Sequence, residues 1–278
     1  MGVAGRRVVS LGAEQTIAGK GGKSVGASGD TATSLQPDLG KLKRELDDYG
    51  LVIVPELISR DDAGYAARRI REIMGRQPNH SDVDQHLRGA FDYLEPDDHT
   101  LFSRLVTHPV CLSLARHLLG EGFQMTEVGL RWRKPGAKAG PVHVTVPLNS
   151  FASAEIPLPN VAFVVVFSWI LEDLKRDAGS TWYLPFSHFA PRLPDEKALY
   201  KYMVPAEGPP GTLVLHHGAL WHGFGPNTTA NSSRVGLMSG YFANWMDPAA
   251  AGWRLMKRSV RDRMPREVQE LNRNAREA

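Results

Sequence analysis

The apolar positions of this chain change their period twice, and each change marks a boundary. Leu39, Leu42 and Leu46 fall on one helical face, Gly50 stops the helix, and the "LVIV" that follows reads as a short strand at a sheet edge. Ser59, followed by Asp61 and Asp62, supplies an N-cap and an acidic first turn for a second helix, which Gly75 ends. A third helical region opens at Thr100 and is interrupted at Pro109, whose fixed φ suits the first turn of another helix ending near Gly120. Between them, Arg76 to Asp98 is polar and Asp-rich and reads as a long loop.

After Gly120 the period shortens. From Phe123 to Tyr241 the chain breaks into eight β-rich runs, "FQMTEVGLRWR", "VHVTV", "VAFVVVFSWIL", "STWYLP", "KYMVP", "GTLVLHHG", "ALWHG" and "RVGLMSGYFANW", separated by Gly, Pro and Asn. Such a series after a helical preface predicts a mainly β fold, a sandwich or jelly roll with helices packed on one sheet. Trp253 to Ala278 predicts a closing helix. Residues 1–36, rich in Gly, Ala, Ser and Thr without a sustained period, read as a flexible tail. The expected organisation is that tail and one domain over 37–278, with a helical preface (37–120) and a C-terminal helical extension (250–278).

Composition narrows the chemistry. With one cysteine, Cys111, the chain can form no internal disulfide and has no CxxC zinc pattern, which leaves histidines and carboxylates as ligands and fits a reducing compartment. The net charge of +3 is mild, and the basic residues near the C-terminus alternate with acids at helical spacing, so they read as a solvated helix face rather than a nucleic-acid patch. No apolar run reaches the roughly 18 residues of a membrane span, and the opening segment is too weakly apolar for a secretory signal. A cytoplasmic protein acting on a small molecule is expected, without nucleic acid or membrane, and with a homo-oligomer or a homologous partner subunit left open.

Of the ten histidines, His80, His86 and His99 lie in or beside the polar loop and His108 at a helix junction, where ordinary surface or core roles suffice. His143 follows a Pro/Gly-rich stretch on a β run, and His222 ends the run "TLVLHHGALWHG", with Arg234 beyond it. A mononuclear iron site needs two imidazoles and usually one carboxylate on one face of the metal, and H-x-D on a strand delivers a histidine and a carboxylate together. An arginine on a neighbouring strand can clamp a carboxylate of a co-substrate. Strand alternation puts His216 on the same face as His222, making it a rival ligand, and turns His217 away. Trp132, Trp169, Trp182 and Tyr183 read first as core and second as pocket lining. Asn227 reads as the organiser of the turn after His222.

Three segments resemble the phytanoyl-CoA dioxygenase family of Fe(II)/2-oxoglutarate oxygenases. "LKRELDDYGLVIVPELISRDDAGYAARRI" is similar to its opening helix, strand and second helix; "DAGSTWYLPFSH" to its "NGALRVVPGSH" segment; and "GTLVLHHGALWHGFGPNTTANSSRVGLMSGYF" to its distal-histidine and arginine segment. The resemblance runs from about Leu39 to Trp245. It implies a double-stranded β-helix (cupin-like jelly roll), Fe(II) and 2-oxoglutarate as cofactors, His143 and His222 as iron ligands, and Arg234 as the 2-oxoglutarate clamp. Two positions depart from the pattern: Phe186 stands where the family commonly has Gly, and Thr145 stands at the catalytic position of the metal-binding Asp.

Threonine's hydroxyl is neutral and one bond shorter in reach than a carboxylate, so a water or an external anion is the expected occupant of that coordination position. Related halogenating enzymes carry Gly or Ala there, and a β-branched threonine fills much of the room a halide would use. Glu155 and Asp177 are the alternative carboxylates. Three functions follow: an oxidative tailoring enzyme for a small metabolite (hydroxylation, desaturation, rearrangement or halogenation), a metal-free descendant that binds substrate or catalyses a non-oxidative step, and a non-catalytic partner of an active homologue. Loops 82–98 and 149–160 are the expected entrance.

Overall fold

The computed structural model describes residues 37–77, 82–145, 160–195, 200–249 and 252–275. The tail over 1–36, Glu155 and nearly all of the 149–160 loop lie outside them. Helix α1 (Leu39–Tyr49) is capped by Asp38, whose carboxylate accepts from the Lys41 amide, and ends at Gly50, which takes a left-handed φ of 71°. That φ lets Gly50 donate to the Leu46 carbonyl and deliver the chain into strand β1 (Leu51–Val54). Helix α2 (Arg60–Gly75) starts at the Ser59 cap as expected, and α3 (His99–Val106) and α4 (Pro109–Leu119) divide at Pro109.

The remaining strands are β2 (Asp84–Arg88), β3 (Gln124–Arg133), β4 (Val164–Ile170), β5 (Thr181–Tyr183), β6 (Val204–Pro205), β7 (Thr212–His217), β8 (His222–Phe224) and β9 (Arg234–Phe242). They form a six-stranded sheet in the order β1-β7-β4-β9-β3-β2 and a three-stranded sheet in the order β6-β5-β8, with every pairing antiparallel. This is the expected mainly β jelly roll with helices on one sheet. Alternation along the large sheet sorts its side chains: Phe167, Trp169, Leu213, Leu215, Val235 and Leu237 join the helices in the main core, while Ile170 and Val214 join Tyr183 of the small sheet. By the same alternation His216, Arg131, Arg133 and Arg234 lie on the second face, toward the small sheet.

Three expectations need correction. The loop Arg76–Asp98 contains edge strand β2, held by charge rather than by apolar alternation: Asp84 bonds Arg131 on the paired strand at 2.8 and 3.0 Å and Arg133 at 2.5 Å. The described residues of the run "VHVTV", 142–145, make an isolated bridge, His143 to His222, while "KYMVP" shortens to a 3-10 turn and the two residues of β6. The closing helix is two short ones, α5 (Arg258–Arg261) and α6 (Arg266–Leu271), because Pro265 has no N–H to continue the first.

Candidate active site

The isolated bridge sets the geometry. His143 and His222 exchange backbone hydrogen bonds of 2.8 and 3.0 Å, so their side chains project together and their ring centroids lie 4.4 Å apart. Each ring is fixed by its own backbone: His143 Nδ1 meets the Pro141 carbonyl at 3.0 Å, and His222 Nδ1 meets the Leu220 carbonyl at 2.8 Å. A carbonyl only accepts, so both Nδ1 atoms carry a proton, and in the neutral tautomer the lone pair is left on Nε2. Backbone contacts of this kind fix the tautomer and orientation of metal-binding histidines. Burial, and next the neighbouring His143, push the His222 imidazole down to about 3, so it is neutral at pH 7 and needs no deprotonation to bind a cation.

His216 comes to the same place from the large sheet. Its ring centroid is 4.5 Å from that of His222, its side of β7 faces Tyr183 at 5.0 Å, and Tyr183 in turn stacks on His222 at 5.9 Å. The two histidines do not share one strand face, as alternation alone predicts. The chain turns between His217 and His222 and crosses to the small sheet, and the meeting occurs across the interior. His216 Nδ1 is buried without a hydrogen-bond partner, and burial holds this imidazole well below its ordinary value. His217 points away, its Nδ1 accepting from the Ala219 amide at 3.0 Å.

Thr145 is buried two residues beyond His143, and its amide donates to the Gly218 carbonyl at 2.8 Å, against the turn between β7 and β8. Arg234 opens β9 opposite Arg133 and is 9% exposed. Its guanidinium lies 5.6 Å from the centre of the Phe224 ring, and its Nε is buried without a partner. Burial, and next the charge of Arg133, lower its pKa to about 10. Arg131 and Arg133 stand over the same ring at 4.4 and 4.9 Å, so Phe224 collects three guanidinium groups. Sequence reasoning missed Arg131 and Arg133; the signal was their spacing of two in "RWR", which aims both at the face that holds Arg234. A cavity of about 20 Å³, room for one water, opens beside Arg131, Ser168, Thr181 and Arg234 and stops short of the histidines.

The other candidates separate. Trp169 donates to the Leu105 carbonyl in the helix-side core, Trp132 stands against Arg71 and Lys134, and Trp182 lies under Arg176, leaving Tyr183 alone of the four beside His222. Asn227 organises its turn as expected, donating to the Arg133 and Ser232 carbonyls and accepting from Thr229. Asp177 is exposed on a turn. Among the described residues no three His, Cys, Asp or Glu side chains are already arranged to hold a metal ion.

The match that decides the family covers most of this architecture. The phytanoyl-CoA dioxygenase (PhyH) profile aligns with residues 46–236, from α1 through the start of β9. The chain belongs to the phytanoyl-CoA dioxygenase family. It is 24% identical over 253 residues to dioxygenase af480 of Aspergillus fumigatus, an alignment covering 87% of this chain and 77% of that protein. Among solved structures it is similar to HygX from Streptomyces hygroscopicus with nickel and 2-oxoglutarate bound (TM-score 0.60, 14% identity, 78% of this chain and 89% of that one). It is also similar to the non-haem alpha-ketoglutarate-dependent epimerase SnoN from nogalamycin biosynthesis (TM-score 0.57, 20% identity, 73% and 80%). Both share the fold.

Proposed function

We propose that this chain is a non-haem iron(II)/2-oxoglutarate-dependent oxygenase-like enzyme that tailors a small secondary metabolite in the cytoplasm, at a metal site without the usual carboxylate. One observation carries the reading: two adjacent imidazoles with both Nδ1 protons committed to carbonyls, in an interior that also holds a buried guanidinium with an unpartnered Nε. An interior with no cation and no anion to bind has no use for either. The residues therefore fit the cofactors, with His143 and His222 offering Nε2 to iron and Arg234 offering a charged fork to the distal carboxylate of 2-oxoglutarate. Iron bound there would supply oxygen activation.

The chain's own groups do the rest. Tyr183, its hydroxyl pushed up to about 12 by burial, stays neutral and supports the His222 ring by stacking. Thr145 contributes neither charge nor reach, which leaves a coordination position to water or an external anion. The names of the similar structures, an epimerase and a carbocyclase of nogalamycin biosynthesis among them, support a small-molecule tailoring step: hydroxylation, desaturation, rearrangement or a related oxidation. The buried lone Cys111 agrees with a reducing compartment.

Anaerobic loading with Fe(II), addition of 2-oxoglutarate and oxygen, and measurement of succinate test the reading. Succinate release above background in the wild type, lost in His143→Ala, is expected. Equal background release in both, with no Fe(II) retained on desalting, refutes it and favours a metal-free descendant.

A further inference from the structure

We propose that Tyr183 is a gate on the co-substrate's path: its ring fills the span between His222 and Arg234 that 2-oxoglutarate has to occupy, so 2-oxoglutarate binds only when this side chain turns aside. The inference rests on the iron and 2-oxoglutarate reading above and goes beyond it in naming the residue that limits access to that site.

Three observations carry it. The first is reach. Tyr183 pairs with His222 across β5 and β8, and its ring stacks on that imidazole at 5.9 Å with an interplanar angle of 23°. The next pair on the same face, Thr181 with Phe224, lies one step nearer Arg234, whose guanidinium is 5.6 Å from the Phe224 ring. The Tyr183 hydroxyl extends to that level: the hydroxyls of Thr181 and Ser168 act on it by hydrogen bonding, and the Arg234 charge acts on it as well. The phenol therefore begins beside the proposed iron ligand and ends beside the proposed clamp. The second is room. The cavity beside Arg234 measures about 20 Å³, enough for one water, and no histidine among the described residues lines it. A five-carbon dicarboxylate that meets a metal on His143 and His222 with one end and Arg234 with the other has to cross the span the phenol fills. The third is enclosure: Tyr183 is 3% exposed and meets His216 edge-on at 5.0 Å while stacking on His222, so its ring is wedged between two imidazoles.

The movement required is small. Residues on strands commonly take either of two χ1 wells, so a change of well swings the ring off the line between His222 and Arg234 while the backbone of β5 stays in place. The turned-out state gives up the stacking on His222 and the edge contact with His216, which keeps it a minor state. A binding-competent state populated at about 10% or less weakens the apparent affinity for 2-oxoglutarate by about tenfold or more, with no change in the contacts made once it is bound. Leucine at this position stays apolar, as the buried cluster of Ile170, Val214 and Leu220 requires, but is too short to reach the hydroxyls of Thr181 and Ser168.

The test uses the full-length protein with Co(II) and without oxygen, so that binding is read apart from turnover. Calorimetric titration of 2-oxoglutarate into wild type, Tyr183→Leu and Arg234→Met gives the affinities. A Kd at least ~10-fold tighter in Tyr183→Leu than in wild type, with binding lost in Arg234→Met, is expected. A Kd in Tyr183→Leu equal to or weaker than that of wild type, with binding still lost in Arg234→Met, overturns the gate and leaves the 2-oxoglutarate site standing. No binding in any of the three proteins overturns both. If Tyr183→Leu does not fold, ultraviolet difference spectra read the ring itself: 2-oxoglutarate is expected to give a tyrosine difference band in wild type that is absent in Tyr183→Phe. The same band in both, or none in either while calorimetry shows binding to wild type, overturns the gate.

Discussion

Replacing Arg234 with methionine is expected to stabilise the protein without its ligand while abolishing its response to 2-oxoglutarate. The guanidinium is buried, and its pKa falls from 12.5 to about 10, first through burial and then through Arg133. It is protonated at pH 7 in both folded and unfolded chains. A depressed pKa on a cation means that the folded state disfavours the charged form, and the cost is fully present at every pH below the folded value of about 10. At 1.36 kcal/mol per unit this is about 3 kcal/mol. Losing the contact with Phe224, 5.6 Å from the guanidinium carbon, returns about 1 kcal/mol. The net gain of about 2 kcal/mol corresponds to roughly 4–8 °C in Tm for a chain of this size. A carboxylate bound to the wild type at 100 times its Kd adds about 2.7 kcal/mol. Thermal unfolding of both proteins, with and without 2-oxoglutarate, is the assay. An Arg234→Met protein that melts earlier than wild type and still gains stability from 2-oxoglutarate refutes the reasoning, because Arg234 would then be a structural partner rather than an anion receptor.

Three further outcomes follow from the same structure. Thr145→Asp places an unpaired carboxylate in a buried position, so the metal-free variant melts lower, by about 2 kcal/mol, and recovers with Co(II); failure to recover shows that the pocket no longer admits a cation. Burial alone would raise the Asp98 carboxyl, but bonds from Arg69, Tyr65 and the Glu95 amide outweigh it and leave the pKa lowered. Its contribution is therefore present above the unfolded value near 3.8 and is lost as pH falls from there through the folded value, and urea unfolding of Asp98→Asn should show a loss of about 3 kcal/mol at pH 7 and a flatter acid profile. Phe186 holds a left-handed φ of 68°, so Phe186→Gly should be about 1 kcal/mol more stable than Phe186→Ala; equal denaturation midpoints would show that the φ carries no strain.

That φ also shows how far sequence reasoning reached. Position 186 takes a backbone conformation that glycine adopts most easily, and the resemblance flagged the position without giving its meaning: the conformation is held by a phenylalanine, which packs edge-on against Tyr49 at 5.2 Å. Helices α1 to α4 were legible because their caps and apolar periods are local. Strand β2 was not, because it is held by Asp84 reaching across to Arg131 and Arg133, and a polar edge strand has no alternation to detect. The closing helix failed at Pro265, where the apolar spacing continues and the backbone N–H does not.

The site divides the same way. His143, His222 and Arg234 were legible one at a time, each from its neighbours in sequence, and the structure puts the two histidines side by side through a bridge too short to count as a strand. What alternation could not supply was the relation between His216 and His222, because alternation ends where the chain turns. It treats the two as rivals for one face of one strand. Once the turn carries the chain from the large sheet to the small one, they face each other across the interior, with Tyr183 touching both.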